Sequence, residues 1–407
     1  MKIIVYEYVS GGGFAEKAIP PGLLAEGYAM LRSITTDFKA AGHEVTILLD
    51  ARISKYGLPI DADCILPIFF ADEPQKVILC KANQIDAIFI IAPESGQTLE
   101  HLIKGVERTG KILLNCTAEG IAAVSDKAKL TSYLQSNRYN TPKTIILDLS
   151  DDLTQLEEKI ACQLPFPIVL KPLDGTGCSG IIKVKNSNES HEALQKIKKQ
   201  NLHLKFIAQE YINGLPASVS LISNGQRAVG ITLNMQQITL AGPEEQSSYD
   251  GGCVPLEHHL KAKAITIAEQ IVSSTPGLYG YVGVDLILTE QDIYVVDINP
   301  RLTTSYVGLH AICSINIAQA IVDAITLSKL PDKCFNRSVV FFSKSQVLRP
   351  SIEGFQKTSK LSNMVTPPFL LNETEGTVAF VIGQGVSMQD AFLRLEEAKK
   401  TLCSIMG

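Results

Sequence analysis

Ile293-Tyr294-Val295-Val296-Asp297-Ile298-Asn299-Pro300-Arg301 is a strand-like run with a polar end. Twelve positions before Asp297, Asp285 stands inside a second strand, Tyr281-Val282-Gly283-Val284-Asp285-Leu286-Ile287-Leu288. Asp285 is the one charged residue of that apolar strand, and an ionised carboxylate there is costly unless a cation or hydrogen bonds compensate it. Magnesium takes hard oxygen ligands in a tight octahedron and commonly shares them with phosphates. Asp285, Asp297 and the amide carbonyl of Asn299 on neighbouring strands suit it as ligands. Arg301 adds a planar cation that can fork onto phosphate oxygens. An ordinary turn at 297–301 is the competing reading, because Asn and Pro favour turns; the carboxylate inside the second strand tips the balance toward metal and phosphate.

Upstream, the strand Pro167-Ile168-Val169-Leu170-Lys171 runs into Asp174-Gly175-Thr176-Gly177-Cys178-Ser179-Gly180 and then into Ile181-Ile182-Lys183-Val184. Glycines with hydroxyl residues in a strand-to-strand loop can lie across phosphates, offering backbone NH groups while remaining free to open. This is not a Walker loop, since Gly-x-x-x-x-Gly-Lys-Ser/Thr is missing and a strand follows. Lys171 closes the apolar strand, and Lys127 lies in the helix-opening run Ser125-Asp126-Lys127-Ala128-Lys129. Singly each reads as a surface lysine; with the loop and the acidic pair they read as two point charges on one nucleoside triphosphate. The strand Phe206-Ile207-Ala208-Gln209-Glu210-Tyr211-Ile212 reads equally as a plain buried strand or as an extended hinge offering NH and C=O groups to a base edge.

From residue 1 to 115, strands near 3–9, 44–49, 64–67, 87–91 and 112–114 alternate with helices near 23–41, 73–83 and 98–109, which predicts a three-layer α/β unit on an open parallel sheet. Ligands of such sheets gather beyond the carboxyl ends of the strands, where 7–13 and 92–95 fall. Ser10-Gly11-Gly12-Gly13 lacks the Gly-x-Gly-x-x-Gly spacing of a dinucleotide site, and Pro20-Pro21 intervenes before the helix. It remains a loop whose backbone can approach a carboxylate-bearing substrate. A helix over 118–137 opens the next unit. The expected divisions are 1–115, a first lobe at 116–205, a second lobe with the metal site at 206–331, and a small α+β cap at 332–407, in which Gly383-Gln384-Gly385 reads as a turn.

Composition narrows the class. The 407 residues are 45% hydrophobic and 19% charged, the balance of a globular chain of several units. A net charge of -5 without long like-charged blocks gives no reason to expect nucleic acid. Nine scattered cysteines without a C-x-x-C pair fit reduced thiols in a cytoplasmic protein. No apolar run approaches the length of a membrane span.

In order and spacing, Lys127, Lys171, the glycine loop, the 209–212 hinge, Asp285 and the 297–301 run resemble the ATP-grasp ligases over roughly residues 1–330. The resemblance implies a pre-ATP-grasp domain followed by a two-lobed α+β ATP-grasp core. It further implies ATP bound by Lys127, Lys171, Gly175, Thr176, Gly177, Ser179, Gly180, Gln209, Glu210, Tyr211 and Ile212. Two Mg2+ ions, with Mn2+ as a substitute, would be held by Asp285, Asp297 and Asn299; Arg301, Lys171 and Asn299 would be the catalytic groups. The family commonly has Glu where Asp297 stands, and 213–218 offers no acid for the ribose. Within the family, Tyr6-Glu7-Tyr8-Val9-Ser10-Gly11-Gly12-Gly13 and Pro300-Arg301-Leu302-Thr303-Thr304-Ser305 look like the tyramine:L-glutamate ligase branch of methanofuran-type cofactor synthesis. That match implies substrate contacts from Glu7, Ser10, Gly11, Gly12, Arg301, Thr303 and Thr304. It implies small-molecule carboxylate and amine substrates and leaves a homodimer open. A non-catalytic ATP-binding regulator, a kinase and another amino-acid ligase of the superfamily are the alternatives.

Overall fold

The computed structural model describes residues 1–58, 60–173, 178–200, 205–332, 338–371 and 376–406. Its strands fall into three sheets, taken here in chain order. The first holds β1 (Lys2–Glu7), β2 (Glu44–Asp50), β3 (Cys64–Ile68), β4 (Ala87–Ile91) and β5 (Ile112–Leu113), all parallel in the order β3-β2-β1-β4-β5. Ile3, Ile4, Val5 and Tyr6 of β1 are all buried, as a central parallel strand covered on both faces requires. The helix Pro21–Ala40 opens with proline at its first turn, where a missing NH costs nothing. Leu24, Tyr28, Leu31, Ile34 and Phe38 form its buried stripe.

The second sheet is antiparallel, β6-β9-β7-β8, from β6 (Thr144–Asp148), β7 (Ile168–Pro172), β8 (Ile182–Val184) and β9 (Lys205–Glu210). Leu147, Ile168, Leu170, Val184 and Phe206 pack on its inner face against the helices Leu153–Gln163 and Ser187–Gln200. Lys171 follows Leu170 on the opposite face, because side chains alternate along a strand.

The third sheet has eight strands in the order β14-β13-β10-β11-β12-β15-β17-β16. They are β10 (Leu215–Asn224), β11 (Ala228–Thr239), β12 (Ser248–Val254), β13 (Tyr279–Leu288), β14 (Ile293–Asn299), β15 (Val339–Val347), β16 (Met364–Thr366) and β17 (Thr377–Gly385). The last three belong to the segment expected as a cap. It is α+β, and β12 pairs with β15 so that one sheet runs through both pieces. Gly383 and Gly385 lie within β17, not in a turn. A Cβ on Gly383 would stand 2.2 Å from the Leu395 nitrogen, so the glycine is needed where the helix Met388–Met406 lies on the strand. The turn chemistry of glycine suggested a turn; close backbone approach is the reason for it.

Three further expectations change. The helix expected over 118–137 breaks at Asp126 into Ala118–Ser125 and Lys127–Ser136, and Asp126 caps the second by accepting from the NH groups of Ala128 and Lys129. A helix Tyr306–Ile312, unforeseen in the sequence, precedes Ile317–Thr326. Asp37 of the first long helix bonds Tyr306 Oη (2.5 Å) and His310 Nδ1 (2.8 Å), fixing the two helices together. Cys313 is disulfide-bonded, so the expectation of nine reduced thiols fails there; nothing in the cysteine spacing marked it. Among the described residues no single helix is long and apolar enough to cross a membrane.

Candidate active site

Strands β13 and β14 pair antiparallel with Asp285 opposite Asp297 and Gly283 opposite Asn299, so the acidic pair is set by register. A bulge follows between Asp285 and Leu286. Asp285 accepts from Gln236 Nε2 and from Asn299 Nδ2, each at 3.0 Å. Burial and the neighbouring charge of Asp297 push its carboxyl up to about 6, although the two amide donors oppose the shift. The charge of Lys127 also opposes the shift without cancelling it.

Two of the three expected cations reach the corner from other elements. Lys127, placed at the first turn by the break at Asp126, forms an ion pair with Asp297. Burial disfavours the Lys127 charge, but Asp297, Glu94 and Asp285 outweigh it and its pKa is raised. Lys171 has no ion pair among the described residues. Burial, then the charge of Lys127, lowers it to about 8, against the pull of Asp297 and Asp285. Arg301 donates from Nε to Glu94 Oε1 at 3.0 Å and from Nη1 to the Leu302 carbonyl at 3.1 Å. Burial opposes its charge, yet Glu94, Asp285 and Glu26 keep its pKa raised.

A divalent cation with phosphate is a fit for these residues. The donors are hard oxygens, the Asp285 carboxyl is driven up by burial and by a facing carboxylate, and Glu94 Oε2 is buried without a hydrogen-bond partner among the described residues.

The 301–305 loop lies on the sheet because Gly283 leaves room for it: a Cβ there would sit 2.6 Å from Thr303 Cγ2. Thr303 Oγ1 bonds Tyr281 Oη (2.9 Å) and Ser305 Oγ (2.8 Å), and Tyr281 Oη donates to Ser220 Oγ at 2.7 Å. Thr304 donates to Glu26 Oε2 at 2.9 Å.

Other expected residues have hydrogen-bond partners of their own, and Glu7 also lies within the field of Arg301. Glu7 and Ser10 are buried and bond each other: the Glu7 carboxylate accepts from Ser10 Oγ (2.6 Å), Ser10 N (2.7 Å) and Val9 N (3.0 Å). Gly11 donates to the Glu7 carbonyl at 2.8 Å, so this stretch, with Gly12, is a tight turn beyond β1. Gln209 donates its side-chain amide to Thr144 Oγ1 at 2.9 Å, and the NH groups of Glu210 and Tyr211 bond the Lys143 and Pro167 carbonyls. The Tyr211 ring carries Lys183 Nζ at 3.6 Å from its centroid. Ile212 is the second residue beyond β9. Ser179 and Gly180 lead into β8, whereas Gly175, Thr176 and Gly177 lie outside the described residues.

Reading the sequence alone missed Glu94, Gln236, Glu26 and Lys344. Glu94 had a signal, since it follows the carboxyl end of β4; Gln236 became visible only through the register that sets β11 beside β10.

Together the parallel N-terminal sheet, the small antiparallel sheet and the acid-and-cation corner define an ATP-grasp protein with a pre-ATP-grasp domain. Residues 124–305 match the ATP-grasp domain family and residues 43–121 the pre-ATP-grasp domain. The chain therefore carries a pre-ATP-grasp domain followed by an ATP-grasp domain. It is 29% identical over 309 residues to the tyramine–L-glutamate ligase of Methanocaldococcus jannaschii, covering 75% of this chain and 84% of that protein. Its fold matches the L-amino acid ligase of Bacillus licheniformis with a TM-score of 0.68 at 14% identity, covering 98% of this chain and 97% of that one. Biotin carboxylase from Campylobacter jejuni matches with a TM-score of 0.71 at 13% identity, covering 99% and 94%. At these identities the structural likeness establishes the fold.

Proposed function

We propose that this chain is an ADP-forming carboxylate–amine ligase that makes an amide through an acyl phosphate. L-glutamate and tyramine, the substrates in the relative's name, are the pair to test first. The observation that carries the reading is the convergence of Lys127, Lys171 and Arg301 on one corner with Asp285 and Asp297.

Asp285, Asp297 and Asn299 would hold magnesium, which when bound neutralises phosphate oxygens. Lys171, without an ion pair among the described residues, is ready for a triphosphate oxygen; Lys127 has Asp297 to hold it until a phosphate arrives. A substrate carboxylate oxygen attacks the γ-phosphorus, the bond to the β,γ-bridging oxygen breaks, and ADP leaves with that electron pair. Arg301 neutralises the phosphoryl oxygens, and Glu94 fixes the plane of its guanidinium. The amine nitrogen then attacks the acyl carbon, loses a proton, and inorganic phosphate departs. Positioning and charge neutralisation supply most of the rate, and water must be excluded because acyl phosphates hydrolyse. In this reading the loop 174–180 covers the phosphates, and the backbone of Glu210 and Ile212 meets the base.

ADP release measured with each acid, each amine and both together tests the reading. A ligase requires both substrates and yields their amide. A kinase needs one substrate, and a regulator binds ATP without turnover. Asp297→Ala should abolish ADP formation while leaving the circular dichroism spectrum intact; ligation at a comparable rate would sink the assignment.

A further inference from the structure

Resting on the ligase reading, we infer that Glu26 and Lys344 form a clamp for the α-ammonium and α-carboxylate of an amino-acid substrate, so that its side-chain carboxyl is the one activated. Glu26 sits on the helix Pro21–Ala40 and Lys344 on β15. Lys344 Nζ bonds Glu26 Oε1 at 2.7 Å across 318 residues of chain, and Glu26 Oε2 accepts from Thr304 at 2.9 Å.

Sheet register puts Lys344 on the reactive face. Asp285 pairs with Ser218, and Ser218 with Asn234; Gln236, two residues on, pairs with Gly252, and Gly252 with Phe342. Lys344 is two residues beyond Phe342 and so points to the same face as Asp285. The contact of Gln236 with Asp285 confirms that these side chains share a face. From above, the helix Pro21–Ala40 brings Glu26 down onto this face, and Thr304 ties Glu26 to the loop that starts at Arg301. Glu26 also lies within the field of Arg301.

The pair is neither sealed nor free in water, with side-chain exposures of 17% for Glu26 and 21% for Lys344. The partly buried Tyr249 ring stands beside the pair, with Lys344 Nζ 5.7 Å from its centroid. A zwitterion entering between the two exchanges one ion pair for two and leaves no charge unpaired, which avoids the main cost of opening a shielded pair. With both α-groups held, only a side-chain carboxyl remains to meet the phosphoryl group. The class of substrate is therefore an acidic α-amino acid.

The test uses the full chain with ATP, magnesium and hydroxylamine, whose nitrogen captures an acyl phosphate as a hydroxamate with release of phosphate. L-glutamate is compared with glutarate, which lacks the ammonium, and with 4-aminobutyrate, which lacks the α-carboxylate. Lys344→Met should raise KM for glutamate about 10- to 100-fold, the loss expected for a charge-assisted bond, with kcat less affected and KM for 4-aminobutyrate unchanged. Glu26→Gln should do the same for glutamate and leave glutarate unchanged. Glu26→Lys combined with Lys344→Glu keeps an ion pair between helix and strand; as a strut it would restore KM, whereas as a clamp it would not. Equal shifts for glutamate and its analogues, or recovery in the swapped variant, would overturn the clamp while the ligase reading stands. Calorimetric binding of glutamate that the variants lose, without any hydroxamate, would instead defeat the ligase reading and keep the clamp. Neither binding nor turnover of glutamate would overturn the clamp.

Discussion

Removing Glu94 isolates what holds Arg301 in place. The Nε–Oε1 bond is 3.0 Å and the side chains are 14% and 8% exposed, so the pair is shielded. Deleting one partner of a buried pair costs about 3–5 kcal/mol, because the other charge is left uncompensated. Two observations lower that figure. Arg301 keeps the Leu302 carbonyl at 3.1 Å, and removal of Glu94 also relieves Oε2, which is buried without a partner among the described residues. Glu94→Ala should therefore cost about 2 kcal/mol. The assay is urea denaturation of Glu94→Ala, Arg301→Met and the double variant. Once the guanidinium is gone the carboxylate has little left to hold, so the coupling energy should be about 2 kcal/mol. Turnover of Glu94→Ala should fall as well, since the guanidinium loses its fixed plane. A coupling energy below about 0.5 kcal/mol would refute the view that Glu94 positions Arg301.

The remaining predictions address the other parts of the corner and one point of the scaffold. Lys171 titrates at about 8 without nucleotide, and a triphosphate favours its charged form; ATP affinity should hold below pH 8 and fall by up to about tenfold per unit above it. Calorimetry across pH checks this, and a slope that survives in Lys171→Met would assign the titration elsewhere. Asp285→Asn should lower turnover by about 10²–10³-fold and weaken the magnesium dependence of ADP release; an unchanged magnesium titration would remove Asp285 from the metal set. Gly383→Ala forces a Cβ to 2.2 Å from the Leu395 nitrogen and should destabilise by about 1–3 kcal/mol with KM values unchanged; an unaltered denaturation midpoint would show that the helix can shift.

Legibility in the sequence followed the range of the interactions. The acid pair could be read because Asp285 breaks an apolar strand and Asp297 opens the polar end of the next, and local patterning alone fixes both strands. The parallel sheet was legible from its alternating elements. Lys127 was half legible: Asp126 is a recognisable cap, yet apolar periodicity on either side of it suggested one continuous helix. Glu26, Lys344 and Gln236 carried no local mark, because their meaning comes from which strands become neighbours. β15 joins β12 across more than eighty residues of sequence, and no short-range propensity specifies that pairing. The Ser10–Gly13 turn has a local cause that the glycine run did not show: Glu7 and Ser10 close on each other inside it.

Oxygen transfer tests the acyl phosphate most directly. The full chain is incubated with ATP, magnesium, hydroxylamine and L-glutamate labelled with 18O in its side-chain carboxyl, and the released phosphate is analysed by mass spectrometry. The account predicts one 18O in each phosphate formed with hydroxamate, because the carboxylate oxygen that attacks phosphorus leaves with it. Unlabelled phosphate accompanying hydroxamate formation would contradict the acyl phosphate route.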